Sequence, residues 1–533
     1  MASSGRTVIF YGVPYALPPV GERRFRAPVS LEHNTLPSLK KPTVYATKTP
    51  EFCIQGALYP GDDRHGGAGS EDCLHLNIYA PSTVLNKAAN ADRRLPVLVY
   101  IHGGGFVYGN PLSWPFEHWI ESFPDIIIVS VYYRLNIFGF LSTSDAGEAL
   151  DYNVGFLDQR EALKWVKKNI ADFGGDPSKI TINGQSAGGA SVLLHLLANG
   201  GRQDLFHQAI AQSVYRPTVR RVSETKKHFE MVAKYAGCDI VGSSTAEQID
   251  CLRQADVVTL VRAAESVANE TGIVHTLPVV DGELFTSTPT QLINSGKISR
   301  IPVLAGATTD ESFAQSNDLK VEMRRWYPHL TDHDIDHIRE LCIPEHLEND
   351  EELVRTVIGE GVVRCGGTIM AEHLSRAGVP TYAYRFDEPN PTQDGTAVQH
   401  SAENWWMFQG SNTGVNGTYA TTPFTPNQER FSKELMAYWV SFVRSGNPNT
   451  HALTGSPSWP KWDAESSRKR GGWFSWLFGP KDTVEPGSRM VLRQGVAGLT
   501  ASDYESGSFA EVLPTKEFER CLVMSSIAER MHF

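Results

Sequence analysis

The chain has 533 residues, 41% of them hydrophobic and 20% charged, with a formal net charge of −11. That length and balance describe a folded protein with a large core and exclude a disordered or fibrous chain. The acidic balance and scattered basic residues give nucleic acid no electrostatic footprint, and no apolar run is long enough to span a bilayer.

The opening residues, Met1 to Arg6, lack the apolar core of a secretory signal, so no signal peptide is read in this chain. Asn269-Glu270-Thr271 and Asn416-Gly417-Thr418 are glycosylation sequons, which point the other way and leave the compartment open. Seven cysteines leave at least one thiol free if the others pair. Residues 8–28 are punctuated by Pro and Gly and predict a segment that wraps the surface. Cys53 and Cys73 bracket a glycine-rich loop. A disulfide closing it contributes about 3 kcal/mol in an oxidising compartment; in a reducing one the same residues are two thiols.

Leu95 to Ile101 is a continuous apolar strand of the kind buried in a parallel sheet. It runs into His102-Gly103-Gly104-Gly105-Phe106, where bare backbone N–H groups suit either an oxyanion hole or a plain flexible loop. Ile126 to Tyr132 reads as a second buried strand. Residues 156–170 read as a helix, with Leu163, Val166 and Ile170 on one face. Then Ile180 to Asn183 leads into Gly184-Gln185-Ser186-Ala187-Gly188 and a small-residue, Leu-rich helix. Strand, tight turn and helix around Gly-x-Ser-x-Gly form the context of a nucleophile elbow. The pentapeptide alone is also compatible with a Gly-rich turn. Leu205 to Ile210 reads as helical, with His207 an ordinary member of it. Strands alternating with helices predict a mostly parallel sheet covered on both sides.

These motifs together resemble one family. Glu71-Asp72-Cys73-Leu74, His102 to Phe106, Tyr133-Arg134-Leu135, Phe173-Gly174-Gly175-Asp176-Pro177 and Gly184 to Gly189 are similar, in order, to the type-B carboxylesterases. These are the cholinesterase and fungal-lipase branch of the α/β-hydrolases, and the resemblance runs from about residue 8 to about residue 463. It implies one α/β-hydrolase domain over residues 1–533, with a mostly parallel central sheet flanked by helices. Helical excursions, much of them within 215–380, are expected to cap the site. It also implies a secretory setting, a small-molecule ester substrate and no metal or organic cofactor.

A serine needs a histidine to take its proton and an acid to orient that histidine, and in this fold the order is Ser, acid, His. The strand Ile301 to Gly306 ends near Asp310 and Glu311, and sequence chemistry alone does not separate the two acids. The resemblance selects Glu311. It likewise makes His400, in His400-Ser401-Ala402-Glu403, the general base among 17 histidines. Gly104, Gly105 and Ala187 are the implied oxyanion donors. Cys238 and Cys251 match a second disulfide of the family type, whereas the pairing of Cys342, Cys365 and Cys521 cannot be read from the sequence. Walls of the acyl pocket are expected from Gln212 to Pro217 and from Trp405 to Phe408.

Some features depart from the family. Gln185 stands where many relatives carry glutamate, so His400 is expected to lose help in carrying charge. The loop between Cys53 and Cys73 has no tryptophan, which disfavours a choline ester and leaves a small to medium, uncharged ester. The segment before Phe10 is short for the family's leading strands. Residues 465–488 read as a surface insertion, and the aromatic run 471–480 offers a surface contact. The alternatives are an acyltransferase or lactone-acting tailoring enzyme using the same acyl-serine, or a catalytically inactive cholinesterase-like interaction protein.

Overall fold

The computed structural model describes residues 2–31, 45–56, 67–86, 94–217, 219–342, 349–413, 419–464, 486–495 and 505–532. Asn416, the run 471–480 and residues 465–485 of the expected insertion lie outside them. In chain order the described strands are β1 (Ala2–Ser4), β2 (Thr7–Pro14), β3 (His75–Pro81), β4 (Leu95–Ile101), β5 (Ile127–Val131), β6 (Gly175–Gln185) and β7 (Gln208–Gln212). They continue as β8 (Val303–Thr308), β9 (Thr381–Phe386), β10 (Ser411–Thr413), β11 (Tyr419–Thr421), β12 (Ser488–Leu492) and β13 (Phe509–Val512).

Eleven of these form one sheet, in the order β1-β2-β3-β5-β4-β6-β7-β8-β9-β12-β13. The run from β5 to β12 is parallel, and antiparallel strands close both edges. This mostly parallel sheet with helices on its faces is the α/β-hydrolase fold. Period-two alternation sorts its side chains into two cores. Val97, Val99 and Ile101 of β4 join one cluster with Leu163 and Val166 and the elbow helix Ala187–Leu197. Leu98 and Tyr100 join the other, with Trp439 and Phe442 of helix Pro426–Ser445.

Two local expectations change. Residues 7–14 are a sheet strand and not a surface wrap, because Val8 and Val13 bury while the backbone pairs antiparallel with β3 across a bulge between Phe10 and Val13. Leu205 to Ile210 is not a helix. Its second half enters β7, where Ala209 and Ile210 supply the two opposite faces of a buried parallel strand. Ser488, at the upper end of the expected insertion, already belongs to a sheet strand.

The family motifs act first as struts. Glu71 takes both arms of Arg24 at 2.7 and 2.6 Å, and Arg134 does the same with buried Asp158. Such bidentate pairs fix geometry as well as charge. Between β7 and β8, helices Lys226–Tyr235, Thr245–Gln254 and Val257–Thr271 gather a separate core around Phe229, Ile249 and Leu260. Asn269 is exposed near the end of the last of these. Disulfides join Cys53 to Cys73 and Cys238 to Cys251, as anticipated, and Cys365 to Cys521, while Cys342 is a buried thiol.

Candidate active site

At the end of β6 the chain reverses into the helix Ala187–Leu197, and Ser186 occupies the turn at φ 61° and ψ −122°. A non-glycine residue rarely adopts this backbone, and such strain persists only where the surroundings enforce it. The flanking glycines show how. A Cβ on Gly184 would lie 2.4 Å from Gly188 backbone, and one on Gly188 would lie 2.1 Å from the Ile101 carbonyl. Strand, turn and helix therefore meet with no room for side chains, and the serine is held at the apex.

His400 arrives on the loop after β9. Its Nε2 lies 2.9 Å from Ser186 Oγ, and its Nδ1 lies 2.5 Å from Glu311 Oε2. Glu311 follows β8. Its Oε1 accepts the Ser213 hydroxyl at 2.6 Å and the Thr308 N–H at 2.9 Å. The structure separates the two candidate acids. Asp310 instead accepts the Val398 N–H at 2.7 Å and bridges Gln399, so it braces the loop that carries His400.

The electrostatics follow from burial and pairing. Burial alone would raise the Glu311 carboxyl, but His400, Ser213 and Thr308 outweigh it and hold the acid below its usual range. Burial would lower His400, and the charge and hydrogen bond of Glu311, with Glu403 behind, reverse that and raise it. Glu403 is pushed up to about 7 by burial and by the negative charge of Glu311. The side chain of His400 is 19% exposed and that of Glu311 is fully buried, so the imidazole alone of this pair faces the opening.

Gln185 does not simply leave a gap. Its amide donates to Ser401 Oγ at 2.8 Å and lies 3.4 Å from His400 Nε2. Ser401 sits at φ 71°, and this contact steadies the turn that presents His400. Phe313 packs edge-on against the imidazole at 5.0 Å.

Gly103 packs directly beneath Ser186, where an added Cβ would lie 2.6 Å from the Gln185 carbonyl and 3.0 Å from Ser186 Cβ. Gly104 and Gly105 follow at φ 110° and 63°. Ahead of them His102 sets its Nδ1 2.9 Å from the Gly103 carbonyl, stacks on Tyr133 and receives the Tyr133 hydroxyl at its own carbonyl. Burial lowers His102 to about 4, so it is a neutral clamp for the glycine loop. Ala187 opens the elbow helix, where the first N–H groups have no intrahelical partner.

Sequence reasoning named Ser213 only within an expected pocket wall and Glu403 only within the His400 segment, and gave neither a part in this cluster. Ser213 carried a signal of a kind, since it directly follows β7 at the same sheet edge. Of the expected pocket walls, Tyr215, Arg216 and Pro217 line a cavity with Phe106 and Ala190 beside the elbow. Trp405 to Phe408 do not join it. They are buried among helix Pro426–Ser445 and Tyr384, because the helix Ala402–Met407 turns its aromatics into the second core.

The fold and this elbow define a hydrolase of the α/β class. The carboxylesterase family model matches residues 2–470. Carboxylesterase 1C of Rattus norvegicus is 30% identical over 85% of this chain and 83% of its own length. Acetylcholinesterase of Bungarus fasciatus is 31% identical over 86% and 78%. Acylcarnitine hydrolase of Mus musculus is 30% identical over 85% and 81%. Among solved structures, EstA of Aspergillus niger superposes with a TM-score of 0.78 at 29% identity, covering 100% of this chain and 96% of that one. The chain belongs to the carboxylesterase family and is a serine carboxylesterase.

Proposed function

We propose that the chain hydrolyses a small to medium, uncharged carboxylic ester in two steps through an acyl-Ser186 intermediate. In this reading His400 takes the Ser186 proton as the hydroxyl attacks the ester carbonyl. Glu311 holds the Nδ1–H tautomer and stabilises the imidazolium that forms. The backbone N–H groups of Gly104, Gly105 and Ala187 receive the negative oxygen of the tetrahedral species, where one donor is worth about 3–4 kcal/mol. His400 then gives its proton to the leaving alcohol, and water repeats the sequence to release the acid.

The observation that carries this reading is the unbroken relay from Glu311 through His400 to Ser186, at 2.5 and 2.9 Å, beside a glycine loop pressed against the nucleophile. The cavity beside the elbow, lined mostly by apolar side chains such as Phe106, Ala190, Leu193 and Tyr215 with Arg216 among them, supports a small to medium acyl group. A panel of p-nitrophenyl esters of increasing acyl length tests it. Turnover with an optimum at short or medium chains, and free acid as the product in the presence of competing alcohols, is the expected result. Alkyl esters as the main product would replace hydrolysis by acyl transfer. No turnover of any ester by the folded chain would favour an interaction protein.

A further inference from the structure

A second cluster of chemically capable side chains lies outside the triad, where the C-terminal segment returns to the body. Glu224, His329 and His532 offer one ligand atom each, and these atoms all lie within 4.8 Å of one another. They come from three distant parts of the chain, so no motif spacing announces them. Glu224 ends the short helical turn Val222–Glu224. His329 follows helix Leu319–Trp326, and His532 is in the C-terminal segment.

Each ligand stands on an anchored backbone. The Glu224 turn is tied by the Val222 N–H to the Val280 carbonyl, and Glu224 itself accepts the Arg221 N–H at 2.8 Å through Oε2. The His329 turn lies between buried Tyr327 and Leu330. The His532 carbonyl accepts the Val219 N–H at 2.6 Å, Met531 is fully buried, and Arg530 pairs with Asp334 at the start of helix Asp332–Glu340. Little ordering is left for a ligand to impose.

We propose that Glu224, His329 and His532 form a binding site for a borderline transition-metal cation of the zinc, nickel or copper(II) class, which fastens the C-terminal segment to the body. The donor set is two imidazoles and one carboxylate, a combination that suits these metals. His532 Nδ1 and Glu224 Oε2 are 3.5 Å apart. Two ligands at ~2.1 Å from a tetrahedral centre are separated by about 3.4 Å, so this pair already spans one edge. The imidazoles of His329 and His532 stack at 4.4 Å. Calcium and magnesium take oxygen ligands, so two imidazoles beside a single carboxylate favour the borderline cations over them. Water completes the coordination beside the three protein ligands that converge among the described residues. The inference is independent of the triad and of the ester reading.

Titration calorimetry of the full chain with zinc chloride, in a non-chelating buffer, tests it against His329→Ala, His532→Ala and Glu224→Gln. His329 is exposed, so its variant is expected to fold, and unchanged esterase activity without added metal checks that it does. The wild type is expected to bind one zinc, and each histidine variant to bind about 100-fold more weakly, beyond the loss seen when only an outer partner is removed. Zinc is expected to raise the melting temperature of the wild type and leave that of His329→Ala unmoved, while calcium moves neither. No zinc binding by the wild type, or binding by both histidine variants as tight as that of the wild type, for instance at the stacked His228 and His275 pair, would overturn the proposal.

Discussion

Two buried charge clusters lie at the central sheet, and they are built in opposite ways. In the first, Glu311 pairs with His400, and Glu403 waits behind with its Oε2 lacking a hydrogen-bond partner among the described residues. In the second, Glu360 takes both arms of Arg520 at 2.7 Å, and Glu517 meets Arg364 at 2.7 Å and Arg489 at 3.0 Å. Burial raises the Glu517 carboxyl, but the arginines more than reverse it and hold it at about 2. The first cluster keeps His400 above its usual value and Glu403 at about 7, within reach of neutral pH. In the second, burial raises Glu360 in spite of Arg520 and Arg364, but every carboxylate is matched by an arginine. A site that works keeps a titration near ambient pH, whereas a site that only holds shape is closed by matched charges.

Breaking the first cluster should abolish turnover and spare the fold. Ser186→Ala and Glu311→Gln are each expected to lower kcat by about 10⁴-fold or more, with the melting temperature little changed, as read by ester assay and calorimetry. Breaking the second should do the reverse. Arg520→Met leaves the Glu360 carboxylate buried without its bidentate partner and should destabilise by about 3–5 kcal/mol, while the specific activity of the folded fraction holds. The double variant Glu360→Met with Arg520→Met should recover most of that loss in thermal melts.

Smaller effects sharpen the contrast through pH. In the proposed mechanism turnover needs neutral His400, so kcat/KM should fall as pH drops through a value above the ordinary 6.5 of histidine. Gln185→Glu adds a carboxylate beside His400 and should move that acid limb up by about one unit or less, and Glu403→Gln should move it down. The stability signs are also opposite. The raised His400 contributes fully below its unfolded value of about 6.5 and loses that contribution as pH rises through its folded value. Glu517 contributes above the ordinary carboxyl range and loses it as pH falls toward about 2. Melting temperatures followed from pH 2 to 9 read both.

Much of this contrast was readable in the residues and part was not. The elbow, the glycine loop and the parallel strands announce themselves because turn chemistry and apolar runs are local. Sequence chemistry alone did not choose between Asp310 and Glu311, which only the family resemblance separated, since adjacent acids differ only in where the loop points them. The Glu360, Arg364, Arg489, Glu517 and Arg520 cluster, and the Cys365–Cys521 bridge beside it, join segments far apart in the chain, with cysteines 156 residues apart. No periodicity records such pairing. The β2 strand was hidden by Gly12, whose positive φ accompanies the bulge, and so its Pro and Gly punctuation read as a surface wrap. The tryptophans after His400 were misread because their sequence position suggested the pocket while their helix turns them into the core.

The most direct measurement is mass spectrometry of the full chain after reaction with a fluorophosphonate ester. A single adduct on the peptide carrying Ser186, absent in Ser186→Ala and slowed when His400 is protonated, is the predicted result. An adduct on another residue of an ester-hydrolysing chain, or none at all, would contradict the assignment of the nucleophile.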